Sequence, residues 1–188
     1  QANGPLVVPA TVIIQKGAHT IEIVTRLKQA GVISNTKLFG WGLRLFANEK
    51  PLRAGEYVFK PAMSLAQVIA HLQTGKTVIR KVTIAEGLSN LEITELLTNT
   101  RGLHGLLGPL PIEGQLLPET YHFSYGDSRT GLVRRMRQAM TRLLNEAWPK
   151  RASDLPLKTP AEALVLASIV EKETGVASER RRVAGVFI

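Results

Sequence analysis

The chain has 188 residues, enough to bury a sizeable core in one large or two small domains. It contains no cysteine, which excludes disulfides and thiolate metal sites. Its formal net charge of +9 favours an anionic partner, but aromatics are only 5% of residues and do not alternate with the basic ones, so a base-stacking nucleic-acid surface is not expected.

The opening stretch, QANGPLVVPA, lacks the charged start of a signal peptide and the long apolar run of a membrane span. Beginning on Gln rather than Met, residues 1–10 read as a linker behind an upstream segment that has been removed. An internal repeat follows. Residues 12–27, VIIQKGAHTIEIVTRL, share one frame with residues 82–97, VTIAEGLSNLEITELL, at an offset of 70 positions. Residues 58–72 fit the same frame at an offset of 45 from the first copy. Each copy predicts a strand triplet, a turn and an amphipathic helix. Gly17 and Gly87 supply a permissive backbone at the turn, a place taken by Pro61-Ala62 in the middle copy. Ser64 and Ser89 stand three residues before Gln67 and Glu92, the spacing of a capping box, while Thr20 is expected to cap the first copy. Ile23, Val68 and Ile93, with Leu27, Leu72 and Leu97, then form the buried stripe.

A further helix is expected over Asn35–Ala47, so the order through residue 75 is β-α-α-β-α, a small α+β module over residues 11–75. A strand is expected over Lys76–Ala85, at the start of a second region covering residues 76–188. Within it, a helix from Gly131 to Trp148 places Leu132, Met136, Met140, Leu143 and Ala147 on one face. Arg134, Arg135, Arg137 and Arg142 lie away from that face, as a solvated basic side or a contact for an anionic membrane or polymer.

Three stretches bear on chemistry. The histidines His19, His71, His104 and His122 are dispersed, with no helical pairing of the zinc-binding kind, and no P-loop, Rossmann fingerprint or nucleophile elbow is present. EGQLLPETYHF, residues 113–123, gathers Glu113, Glu119, Pro118, Tyr121, His122 and Phe123. It reads either as a proline turn entering a strand with Tyr121 and Phe123 inward, or as a binding loop. Thr159-Pro160-Ala161-Glu162 is a strong helix start, with Thr as N-cap, Pro at the first position and Glu closing the box. The helix it opens runs from Ala163 to Val170 with only Ser168 polar, so it is expected to be buried nearly all round. It ends in Glu171-Lys172-Glu173, and spacing alone leaves open which acid faces inward, or whether both emerge into solvent.

ASIVEKET at residues 167–174, with the following E-R and VAGVFI, resembles the endolytic murein transglycosylases of the MltG/YceG-like family. The T-I-x-E-G-L of Thr83–Leu88 and the E-G-x-L-x-P-E-T-Y of Glu113–Tyr121 are similar to that family's other signatures. The resemblance implies a LysM-like module over residues 11–75, followed by the N-terminal part of a mixed α/β catalytic domain over residues 76–188. It implies that Glu171 is the catalytic acid, with Tyr121, Glu119, Glu113, Ser168 and Glu173 around the substrate. Neither a metal nor another cofactor is implied. The implied reaction breaks the bond between N-acetylmuramic acid and N-acetylglucosamine in peptidoglycan and leaves 1,6-anhydro ends. A non-catalytic peptidoglycan-binding module is the alternative. Also implied are one N-terminal span in the inner membrane, absent from this chain, a body in the periplasm, and penicillin-binding proteins as partners. The family's later N-R-L and D-P-T stretches do not occur here, so truncation at the C-terminus is expected.

Overall fold

The computed structural model of the chain describes residues 3–46, 50–109 and 111–188, which form two compact units. The mixed α+β class expected from the sequence holds, with four strands and seven α-helices among the described residues.

The first unit comprises residues 1–80 and 122–127. Strand β1 (Ala10–Ile14) pairs antiparallel with β2 (Gly55–Phe59), Ala10 opposite Phe59 and Ile14 opposite Gly55. Helices α1 (Thr20–Gln29), α2 (Thr36–Phe46) and α3 (Leu65–Thr74) complete its core. Leu27, Phe39, Tyr57, Phe59, Val68, Ile69 and Leu72 are wholly buried there. Each such side chain contributes about 1.5–3 kcal/mol by leaving water. The repeat explains this packing, because each strand–turn–helix copy sends one stripe inward. Ser64 caps α3 with a complete box to Gln67, and the left-handed Gly75 closes it. In the middle copy the turn is bent by Ala62, which takes a positive φ of 57° where the other copies have glycine. The first copy departs from expectation. His19 occupies the N-cap without a side-chain bond, and Thr20 is already helical.

Helix α2 starts where the Asn35 side chain accepts from the backbone N–H groups of Lys37 and Leu38, at 2.8 and 3.3 Å. Its expected last residue, Ala47, lies outside the described residues. Tyr57 is buried with its hydroxyl donated to the carbonyl of Arg53 at 2.7 Å, and burial pushes that phenol upward in pKa. Arg80 closes a two-pronged ion pair with the buried Glu56 carboxylate at 2.7 and 3.1 Å.

The second unit comprises residues 81–121 and 128–188. The division runs through both β3 (Ile79–Thr83) and β4 (Thr120–Ser124), which pair in a second two-stranded sheet. Hydroxyl contacts join Thr77 to Ser124 and Thr83 to Thr120, so the strands run in opposite directions. The expected strand over Lys76–Ala85 is shorter at both ends. Helix α4 (Asn90–Asn99) follows, then the long α5 (Arg129–Ala147), a 3-10 turn at Trp148–Lys150, α6 (Pro160–Glu173) and α7 (Arg180–Ala184). Ile93, Leu97, Leu103, Leu116, Leu132, Met136 and Met140 are buried. Arg129 donates to the carbonyls of Leu97, Thr98 and Gly105 at 2.8–2.9 Å, satisfying the end of α4 from the start of α5.

Burial of α6 differs from expectation. Only Val170 is buried along it, while Val165 is 59% exposed and Ala167 and Ser168 face solvent. An apolar run states what a helix is able to bury, and the described residues cover just one side of this one.

Candidate active site

Helix α6 is set at its start by Thr159, whose hydroxyl accepts from the Glu162 N–H at 3.2 Å, with Pro160 in the first turn. The Glu162 carboxylate reaches back one residue beyond the cap, to the N–H of Lys158 at 2.7 Å. At the other end Thr174 is buried and does three things. Its N–H donates to Val170, its hydroxyl donates to the Glu179 carboxylate at 3.0 Å, and the same oxygen accepts from the Val176 N–H. The chain is thereby folded back so that α7 begins beside the last turn of α6. Arg180 then donates to Oε2 of Glu171 at 3.0 Å, with the two side chains 48% and 30% exposed.

Glu171 is thus half-buried, with one carboxyl oxygen in contact with the Arg180 guanidinium. Glu173 is exposed. Ser168 is exposed too, with its hydroxyl donated back to the Val165 carbonyl at 2.7 Å.

Two other segments come to α6 within the same unit. The turn of Thr83–Leu88 carries Gly87 at φ +74°, where an added Cβ would stand 3.3 Å from Cε of Lys172. The Lys172 stem therefore lies against that turn, one residue beyond Glu171. Directly after it Ser89 and Glu92 form the capping box of α4, the carboxylate accepting from the Ser89 N–H at 2.7 Å. That backbone bond, with the Ser89 hydroxyl next and the Lys172 charge assisting, holds the Glu92 carboxyl below its usual range. Glu113 places both oxygens on the N–H of Asn90 at 2.9 and 3.1 Å, while the Asn90 side chain donates to the Pro111 carbonyl. Beside it Gly114, at φ +80°, approaches Leu164 of α6 so closely that a Cβ would stand 3.0 Å from the leucine. Glu113 thus serves the N-terminus of α4, and its loop rests on α6.

Glu119 and Tyr121 belong to the support of this arrangement. The Glu119 carbonyl accepts from the Ile84 N–H at 3.0 Å, joining the loop to the end of β3, and its exposed carboxylate accepts from the Thr120 N–H. Tyr121 is buried and donates to the Leu117 carbonyl at 2.8 Å, and burial, reinforced by the Glu119 charge, raises its pKa. Among the described residues no hydrogen bond or ion pair joins either of them to Glu171. A shallow hollow of about 230 Å³ lined by Gln115, Met140 and Leu164 sits toward the start of α6, about two turns from Glu171.

Sequence reasoning missed Arg180, Lys172 and Thr174. Arg180 appears in the sequence only as the first of three consecutive arginines, and its contact with Glu171 depends on the Thr174 turn.

Residues 12–188 match the family model described as the YceG-like family. The chain is similar to the endolytic murein transglycosylase of Streptococcus pneumoniae serotype 2 (strain D39 / NCTC 7466), with 27% identity over 220 aligned positions that cover 94% of this chain and 39% of that protein. The protein of the same name from Streptococcus pneumoniae strain ATCC BAA-255 / R6 matches with the same identity and coverage. The chain therefore spans about two fifths of the length of the curated relatives it matches. Among solved structures it is similar to a yceG-like protein of Listeria monocytogenes, at 24% identity and a TM-score of 0.37, over 92% of this chain and 66% of the other.

Proposed function

Because this chain belongs to the YceG-like family, we propose that it is the part of an endolytic murein transglycosylase that carries the catalytic acid, Glu171. The observation that supports this is the convergence on α6 of three separate segments: the Gly87 turn against Lys172, the Glu113 loop against Leu164, and α7 through Arg180. Each of the three signature stretches rests on or forms part of α6, the helix that ends at Glu171-Lys172-Glu173.

One carboxyl group suffices for the reaction. A hydrolase needs a second carboxylate to activate water at a defined separation. In the proposed lyase, protonated Glu171 gives its proton to the glycosidic oxygen as the C1–O bond of N-acetylmuramic acid breaks. The resulting carboxylate takes the proton of that sugar's own C6 hydroxyl as its oxygen bonds to C1. The carboxyl group ends as it began, no water enters, and a 1,6-anhydro end remains. Arg180 donates to one oxygen of the Glu171 carboxyl group, which leaves the other oxygen to carry the proton to and from the substrate. Glu113 and Glu119 act through loop geometry, Tyr121 braces that loop, and Ser168 and Glu173 line the solvent side of α6.

In this proposal residues 11–75 are a LysM-like module that holds glycan, residues 76–188 are the N-terminal part of the catalytic domain, and residues 1–10 link to an inner-membrane anchor. The body works in the periplasm beside wall synthesis. Among the described residues no helix is long and apolar enough to cross a membrane.

The test is chain-length analysis of purified peptidoglycan strands after incubation with the protein and with its Glu171→Gln form. Internal cuts by the first and none by the second are expected. Equal cutting by both would exclude Glu171 as the acid. Binding of strands without cutting by either would favour the non-catalytic module.

A further inference from the structure

We propose that the exposed face of α2 is a membrane-surface contact that seats on anionic phospholipid headgroups. Leu38, Trp41 and Leu45 are 58%, 70% and 71% exposed. Their spacing of three and four residues puts them in one stripe of the helix. This stripe is not the core face displaced. The core side of α2 is already filled, with Phe39 wholly buried and Gly42 so close to α3 that an added Cβ would stand 2.8 Å from Leu65. The helix is therefore apolar on two sides, and the described residues leave the second largely exposed.

Among the described residues, the charges on α2 beside that stripe are all of one sign. Lys37 and Arg44 are exposed and seven residues apart, so they lie on one line next to Trp41, and α2 contains no acidic residue. The surrounding sequence is basic as well, with ten Lys and Arg against three Glu in residues 1–80. Two of those acids, Glu22 and Glu56, are already paired with Arg26 and Arg80.

These features choose among the possible occupants. A second copy of the chain docking symmetrically would bring two Lys37–Arg44 rows together with no acidic residue of α2 to meet them. A glycan lying on Trp41 would find donors in Lys37 and Arg44 but would leave the exposed apolar side chains of Leu38 and Leu45 unmatched. An anionic bilayer satisfies both halves of the face at once. The indole and the leucines enter the boundary between headgroups and acyl chains, and the cationic row meets lipid phosphate. The contact is independent of the chemistry at Glu171.

The chain itself supplies the probe. It has two tryptophans, and Trp148 lies under the Arg151 guanidinium at 3.9 Å, so Trp148→Phe leaves Trp41 as the sole indole emitter. This form is titrated with vesicles of phosphatidylglycerol mixed with phosphatidylcholine, and with vesicles of phosphatidylcholine alone. The expected result is a blue shift of Trp41 emission on the anionic vesicles, quenched by brominated acyl chains and weakened by salt. Adding Leu38→Gln and Leu45→Gln, both at exposed positions, should lower partitioning by roughly tenfold or more while melting stays unchanged. Lys37→Gln with Arg44→Gln should weaken binding to anionic vesicles alone. Unshifted emission on anionic vesicles overturns the proposal. It is equally overturned if Trp41 becomes shielded through concentration-dependent self-association without lipid, or responds to soluble glycan fragments and not to vesicles.

Discussion

Arg180 is the residue on which the proposed use of Glu171 most depends. The pair is exposed at 48% and 30%, so its worth to folding is about 0–1 kcal/mol. Arg180→Gln should therefore shift the melting temperature by no more than about 4 °C. Turnover on peptidoglycan should nevertheless fall roughly tenfold, because the carboxylate loses the bond that aims it. Unchanged turnover would remove Arg180 from the site. Tyr121→Phe should behave in the opposite way. It deletes the bond to the Leu117 carbonyl inside the fold, with a stability loss of about 1 kcal/mol in a denaturant titration. At this scale the family resemblance singles out Glu171 as the proposed acid, while the sequence is silent about the residue that contacts it. Glu171 stands in a recognisable stretch, whereas Arg180 reaches it only because buried Thr174 binds Glu179 and turns the chain.

Elements were legible where their signals are local. The two capping boxes, the Pro160 start of α6 and the turns at Gly17 and Gly87 are each written within a few residues, and each is present. Burial of α6 was not legible, since the run from Ala163 to Val170 says nothing about what lies beside it. The box of α4 carries a pH prediction. Glu92 has its folded-state pKa lowered, so its contribution is complete above the unfolded value of about 4.5 and is lost as pH falls through the folded value. Glu92→Gln should flatten the acid side of the stability–pH profile, as followed by melting between pH about 6 and about 3. An unaltered acid limb would mean that the box bond does not persist in solution. A second element-level test concerns the approach of α2 to α3. Gly42→Ala gains up to about 1 kcal/mol in helix propensity. The new methyl, however, meets Leu65 at 2.8 Å and Ile69 at 3.1 Å. Overpacking of this kind costs about 1–3 kcal/mol, so a net loss of stability is expected from chemical denaturation.

For the molecule as a whole, the α+β class followed from three copies of one strand–turn–helix frame. Residues 122–127 return to the first unit from far along the sequence, and the division crosses β3 and β4 within the strands, where composition leaves no mark. The net charge of +9 gives a whole-molecule expectation. Binding to the anionic wall polymer should weaken severalfold as ionic strength rises from about 0.05 to about 0.5 M, through screening of long-range attraction. Salt-independent binding would leave recognition to uncharged contacts alone.

The central claim is that the glycosidic bond is broken by an internal hydroxyl with Glu171 as the one acid. The most direct measurement is mass spectrometry of the new strand ends after digestion of purified peptidoglycan in heavy-oxygen water. Ends one water lighter than hydrolysed ends, free of heavy oxygen and absent with Glu171→Gln, are the predicted result. Reducing ends carrying heavy oxygen would contradict it, and would bring a second carboxylate, Glu113 or Glu119, into the chemistry.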